Sequence, residues 1–153
     1  MMKKLICLWT LSLAIASMGV PAIAQGQEIE YDQNAPRISG TTGLTDRHYI
    51  SLYTGEQPLS SVTIRPSELM DIGDNIQVTD ESGATIDAEV SREEDSLKIN
   101  FAQPVASGTN IEIAIRDLGF VPTPQGVFHY QVSGDHVGFA REVPYGLARV
   151  EVY

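Results

Sequence analysis

The sequence predicts an all-β fold, an antiparallel β-sandwich of immunoglobulin-like type with about eight strands. Two observations carry that prediction. Short segments with apolar residues at every second position recur at spacings near ten residues from Tyr49 onward. Such alternation gives a strand one buried and one wet face, as antiparallel sheets require. The connections between the segments hold turn-forming residues, and evenly spaced short strands parted by turns are the pattern of sandwiches and barrels.

The strands follow in chain order. Ile50 and Leu52 alternate with Tyr49, Ser51 and Tyr53, then Val62 and Ile64 with Ser61, Thr63 and Arg65. Ile76 and Val78 flank Gln77, and Ile86, Ala88 and Val90 alternate with Asp87 and Glu89. Leu97, Ile99 and Phe101 form the fifth segment, and Ile111, Ile113 and Ile115 the sixth. Phe128, Tyr130 and Val132 alternate with Val127, His129 and Gln131, and Ala148, Val150 and Val152 complete the series. Asp80-Glu81-Ser82-Gly83 reads as a tight turn, with Gly83 free to take a positive φ. Arg92-Glu93-Glu94-Asp95 reads as a charged connection, and Gln103-Pro104-Val105-Ala106-Ser107-Gly108 as the next link. A helical turn is expected at residues 66–70, because proline suits a first helical position.

Ahead of these strands lie two other segments. Residues 1–24 read as a signal peptide. Lys3 and Lys4 are followed by an apolar run from Leu5 to Val20, then Pro21 and the small-x-small pattern Ala22-Ile23-Ala24. A permanent span needs about 20 apolar residues, and this run has 16. Cleavage is therefore expected after Ala24, leaving no membrane span. Residues 25–44 are polar and hold Asn34, Pro36, Gly40 and Gly43 without a sustained period, so they read as a flexible leader with room for a short strand at its end. Residues 45–153 form the sandwich domain.

Charge narrows the partners. The 153 residues carry 20 acids against 10 basic groups. All the acids lie after residue 24, whereas Lys3 and Lys4 lie before it, so a cleaved chain carries −12. Nucleic acid and anionic membrane surfaces want a basic face and are excluded as expected partners. Cys7 and Trp9, the only residues of their kinds, fall within the signal peptide. A disulfide scaffold, a cysteine nucleophile and a thiolate metal site go with them, and stability must come from packing.

Residue by residue, the chemistry is sparse. His48, His129 and His136 show no metal-site spacing such as i, i+4, and they read as surface or rim residues. Three histidines from separate elements, with nearby carboxylates, make a copper or zinc site the alternative. The EF-hand spacing fails from Asp71, because the twelfth position is Ser82. Glu93-Glu94-Asp95 reads as a solvated turn. Ser133-Gly134-Asp135-His136 gathers three triad residue types, but triads assemble from distant elements and Ser-Gly-Asp is ordinary turn chemistry. No phosphate-binding glycine loop occurs. Lys98 is the only lysine after the signal peptide, and seven arginines suit carboxylate pairing. Tyr49 and Tyr53 share one strand face, and Tyr153 ends a strand, so these three are the candidate binding residues.

Several segments resemble a known family. Leu97-Lys98-Ile99-Asn100-Phe101-Ala102-Gln103-Pro104-Val105-Ala106-Ser107-Gly108-Thr109 and the following strand resemble the strand, Pro-Val-x-x-Gly-Thr, strand core of the domain-of-unknown-function 2808 family. Pro58-Leu59 before Val62-Thr63-Ile64, Gly126-Val127-Phe128-His129-Tyr130, and the ending from Gly146 to Tyr153 are similar to its other segments. Family members carry an Arg-Asn-Pro type segment where residues 117–125 here read Asp-Leu-Gly-Phe-Val-Pro-Thr-Pro-Gln. The resemblance implies a secreted, mainly cyanobacterial, β-rich single domain, and implies no activity. A fainter likeness to periplasmic copper-carrier sandwiches lacks their N-terminal histidine, since no histidine precedes His48.

The sequence therefore predicts an exported, non-enzymatic interaction module of the cell envelope, without a cofactor. Its partner is an envelope protein or cell-wall component, met through the Tyr49 and Tyr53 surface or the 117–125 loop. The alternative is a periplasmic copper- or zinc-binding protein using His48, His129 and His136. A hydrolase using Ser133 or His136 ranks last.

Overall fold

Period-2 alternation becomes two facing antiparallel sheets in the computed structural model, which describes residues 32–67, 70–120 and 124–153. One sheet takes β1 (Arg37–Gly43), β2 (Arg47–Tyr53), β8 (Asn110–Arg116) and β5 (Ile76–Asp80) in that order. The other takes β11 (Val143–Val152), β10 (Gly126–His136), β3 (Leu59–Pro66), β7 (Ser96–Val105) and β6 (Ala88–Glu93). A short ribbon pairs β4 (Met70–Ile72) with β9 (Leu118–Phe120). The fold is thus the immunoglobulin-like sandwich expected. It has eleven strands rather than about eight, and no helix among the described residues.

The inner faces supply one core. Ile50 and Leu52 of β2 and Ile113 and Ile115 of β8 face Val62, Ile64, Leu97, Ile99, Tyr130 and Val150 of the other sheet. These side chains are essentially inaccessible, and each contributes about 1.5–3 kcal/mol by leaving water. Three isoleucines in alternation on β8 explain its place inside the first sheet. β-Branched side chains suit a pleated surface, and both of its edges are paired, with β2 and with β5.

Sheet edges are closed in two ways. On one side β1 lies directly on β11. The Thr41 hydroxyl donates to the Arg149 carbonyl at 2.7 Å, and a Cβ on Gly43 would stand 2.4 Å from the Glu151 carbonyl oxygen. On the other side, residues 84–87 pass between the sheets, bonding first to β5 through Ile86 N to Val78 O, then to β7 through Ala102 N to Asp87 O. Covered edges resist strand addition by other chains.

Four expectations change. The short strand allowed at the end of the 25–44 leader is β1, and it belongs to the first sheet, so the sandwich begins at residue 37 and not 45. Gly40 and Gly43 hide the alternation there, yet Gly43 is what lets the strand approach β11. The link expected after Gln103 is still strand, because β7 runs to Val105 and pairs it with Leu59. Ser133-Gly134-Asp135 is not a turn but the last stretch of β10. Finally, part of the 117–125 loop is β9, while residues 121–123 lie outside the described residues. In the 66–70 turn, Met70 N donates to Ser67 O at 3.1 Å, and residues 68–69 lie outside the description, as do the expected signal peptide and the leader's first residues. Among the described residues, no helix is long and apolar enough to cross a membrane. The tight turn at Asp80 is as expected: Gly83 has φ +80, and Asp80 Oδ1 accepts from the N–H of Ser82 and Ala84.

Candidate functional site

The histidines do not form one site. His48 has the parity of Ile50 and Leu52, so β2 carries it into the core, where it is wholly buried. Its Nδ1 lies 2.5 Å from the Tyr130 hydroxyl, which also contacts Met70 Sδ at 3.3 Å. The two contacts are compatible when Nδ1 carries the proton, because a hydroxyl has one hydrogen to give. Burial lowers the His48 pKa from 6.5 to about 4 and pushes the Tyr130 hydroxyl up. His136 is also buried, at the far end of β10. Its Nδ1 meets the Gln57 carbonyl at 3.0 Å and its Nε2 the Tyr145 hydroxyl at 3.1 Å. His129 lies on the opposite, outer face of β10, roughly 23 Å from His136 at strand rise. The expectation that all three are surface or rim residues is corrected for His48 and His136. Among the described residues, no three His, Cys, Asp or Glu side chains group as metal ligands do.

The Ser133 to His136 segment is split by the same alternation. Ser133 and Asp135 face outward, while Gly134 and His136 face inward. Ser133 donates to Glu142 Oε2 at 2.7 Å. Asp135 Oδ2 accepts from the Ser61 hydroxyl at 2.9 Å and from Lys98 Nζ at 3.1 Å. Burial alone would raise the Asp135 pKa, but the Lys98 and Ser61 contacts hold it below the usual carboxylate value. The same contact raises Lys98. A hydroxyl nucleophile needs its base alongside, and here the imidazole is on the other side of the sheet. The inward Gly134 is a packing position, since a Cβ there would meet Leu59 Cδ1 at 2.7 Å.

Outside the core, the outer face of the first sheet gathers tyrosine and arginine. Tyr49 and Tyr53 stand half-buried in one row of β2 together with Arg47. Register places Arg37 of β1 beside Tyr53 and Arg116 of β8 beside Arg47. The Arg37 guanidinium sits 4.3 Å over the Tyr53 ring, a cation–π contact. Arg47 bonds Asp46 at 2.7 Å, and Asp46 and then Tyr49 hold it firmly protonated. Arg116 donates to Gln77 at 3.0 Å. Tyr153, 94% exposed, is at the end of β11 with its hydroxyl on Glu151. It borders a shallow groove that reaches Thr42, the register partner of Tyr49. The arginines were missed in the sequence as members of this face. Arg47 shares the parity of Tyr49 and Tyr53, which is a readable signal, whereas Arg37 and Arg116 join through strand order alone.

A pocket opens at one end of the sandwich. It is lined by Asp32, Asn34, Ala35 and Pro36 before β1, by Thr54, Glu56 and Gln57 after β2, by His136 at the end of β10 and by Phe139 just beyond it.

Comparison with known proteins gives fold likeness only. No family model matches the chain, and no curated protein matches it. Among solved structures it is similar to the collagen-binding domain of a Staphylococcus aureus adhesin, at 11% identity over 73% of this chain and 94% of that one, with a TM-score of 0.39. It is similar also to the collagen-binding subdomain of the Enterococcus faecalis surface protein ACE, at 9% identity over 73% and 92%, TM-score 0.43. A third is a Vibrio harveyi GH20 exo-β-N-acetylglucosaminidase, at 14% identity over 77% of this chain and 18% of that one, TM-score 0.37. Likeness at these identities concerns the sandwich alone.

Proposed function

We propose that this protein is an exported, non-enzymatic interaction module of the cell envelope. It engages an envelope protein or cell-wall component through the outer face of its first sheet. One observation carries the reading: Tyr49 and Tyr53 lie in a single face with Arg37, Arg47 and Arg116. Tyrosine and arginine are the residues that interfaces enrich and that hold most binding energy. Both tyrosines are already half-buried, so docking them costs little side-chain entropy. Three of the seven arginines after residue 24 lie on this face, Arg37 at the Tyr53 end of β2 and Arg47 with Arg116 at the other. Against Asp46 and the outward Glu112 they leave a small positive excess, which favours a neutral or acidic partner surface. Tyr153 extends the face at the rim of the Thr42 groove.

The test compares the purified protein with a Tyr49→Ala/Tyr53→Ala variant of unchanged melting temperature, both immobilised and exposed to envelope extract of the native host. The expected result is a component retained saturably by the first and lost by the second. Equal retention on both, or none above background, refutes the proposal.

A further inference from the structure

The pocket at the end of the sandwich is small and built from fixed parts. Its volume is about 190 Å³, below the range of roughly 300–1,000 Å³ that drug-sized ligands occupy. It therefore suits one side chain rather than a cofactor or an oligosaccharide. Pro36 forms one wall and is pressed onto Gly55, where a Cβ would meet Pro36 Cδ at 2.7 Å. Gly55 itself has φ +81, so the wall depends on glycine there. Thr54 is wholly buried. Its hydroxyl donates to the Ala106 carbonyl at 3.0 Å and accepts from Thr109 N at 3.0 Å.

The opposite wall is aromatic. His136 is held on both ring nitrogens, by Gln57 and Tyr145. Phe139 meets it edge-on, with ring centroids 6.0 Å apart. Phe139 N donates to His136 O at 3.1 Å, which fixes the turn that carries it. That leaves Phe139 57% exposed, with its ring free to be covered by a bound group.

Charge distinguishes the occupant. The lining includes Asp32 and Glu56 and neither lysine nor arginine; the neighbouring Arg37 is engaged by the Gln33 and Ala35 carbonyls and the Tyr53 ring. Asp32 is oriented, because its Oδ1 accepts from Asn34 N at 2.9 Å. An anionic ligand would meet two carboxylates. A cationic one would meet those carboxylates and the phenylalanine ring together.

We propose that this pocket receives an arginine side chain of a partner polypeptide. The guanidinium would reach Asp32 and Glu56 while its plane lies on Phe139, and the aliphatic stem would pass Pro36. Arginine fits better than lysine because its planar, weakly hydrated head stacks on aromatic rings and forks onto carboxylates. This rests on the interaction-module reading and adds a second, oppositely charged contact to the Tyr49 and Tyr53 face.

The experiment titrates isotopically labelled protein with the peptide Gly-Gly-Arg-Gly-Gly and with the same peptide bearing citrulline, the neutral isostere of arginine. Amide shifts are expected to saturate at Gly55, Glu56, Val137 and Gly138, and to be about tenfold weaker for citrulline, since two carboxylates lose their charge partner. Asp32→Asn/Glu56→Gln is expected to weaken the arginine peptide by about the same factor. Asparagine at position 32 can still accept from Asn34 N, so the turn survives, and an unchanged melting temperature verifies it. No saturating shift at these amides, equal binding of citrulline, or full binding by the double variant overturns the proposal. If peptide binding fails while envelope retention still depends on Tyr49 and Tyr53, the pocket alone is refuted. If retention fails while the peptide still binds, the tyrosine face alone is refuted.

Discussion

Lowering the pH should expose the cost of charging His48 inside the core. The unfolded chain protonates this imidazole near 6.5, and the folded chain holds it neutral down to about 4. It is wholly buried beside the rings of Phe128 and Tyr130, at centroid distances of 5.1 and 5.8 Å, and it is this loss of water that disfavours the charged form. Because the folded pKa is the lower one, the unfolded state binds the extra proton. The histidine's contribution is complete above about pH 6.5 and is lost progressively as pH falls from 6.5 towards 4. At about pH 5 the loss comes to about 2 kcal/mol, approaching about 3 kcal/mol below pH 4. The carboxylates of Asp46, Asp80, Asp135 and Glu151 are all held below their usual values. Their contributions are kept above the ordinary carboxylate range and fade only in more acid solution, and the contribution of His48 itself is singled out by subtracting a variant that lacks it. Urea unfolding at about pH 7.5 and 5, of the wild type and of His48→Gln, measures the effect. Glutamine keeps a polar group facing Tyr130 and cannot titrate. The wild type should lose about 2 kcal/mol more than the variant between the two conditions. Equal losses would refute the claim that burial is what keeps His48 neutral.

Three further outcomes are expected. Gly43→Ala should cost about 1–3 kcal/mol by overpacking, because its Cβ would strike the Glu151 carbonyl and the Val150 and Val152 side chains. A smaller shift in urea midpoint than for Gly40→Ala, where a Cβ would meet Ser51 only at an ordinary 3.7 Å, would contradict the close β1–β11 approach. Tyr130→Phe should lose about 1–2 kcal/mol, because the imidazole of His48 is left without its hydroxyl partner in the core; thermal melting reads this directly. Phe139→Ala should leave stability within about 0.5 kcal/mol, since the ring is mostly exposed, yet weaken the arginine peptide in the same titration.

Sequence alternation read the central strands well because their inner faces are unbroken. Ile50 and Leu52, Ile111 to Ile115, and Leu97 to Phe101 each show the period, and each lies buried. Two kinds of strand escaped it. β4 and β9 have three residues each, too few to display a period. β1 has two glycines and one largely exposed face, so its apolar positions do not repeat. Gly134 misled in the other direction. Flanked by serine and aspartate it resembles a turn, but it is an inward position where Leu59 and Tyr145 leave no room for a side chain. The parity of His48 with Ile50 and of His136 with Tyr130 and Val132 was legible, and it places both rings inside. The grouping of Arg37, Arg47 and Arg116 was not legible in full, because strand order, unlike strand content, is decided by contacts far apart in sequence.

The seam between β1 and β11 bears on how the domain carries load. Thr41 lies against Arg149 and Gly43 against residues 150–152, so the first and last strands run side by side in the same direction. Tension drawn between residue 37 and residue 152 would pull these strands past each other lengthwise. The contacts along the seam would then have to yield together instead of peeling apart singly, and such resistance is governed by the rate of unfolding rather than by equilibrium stability. A domain tethered at one end and gripped at the other would hold longest when pulled along that axis.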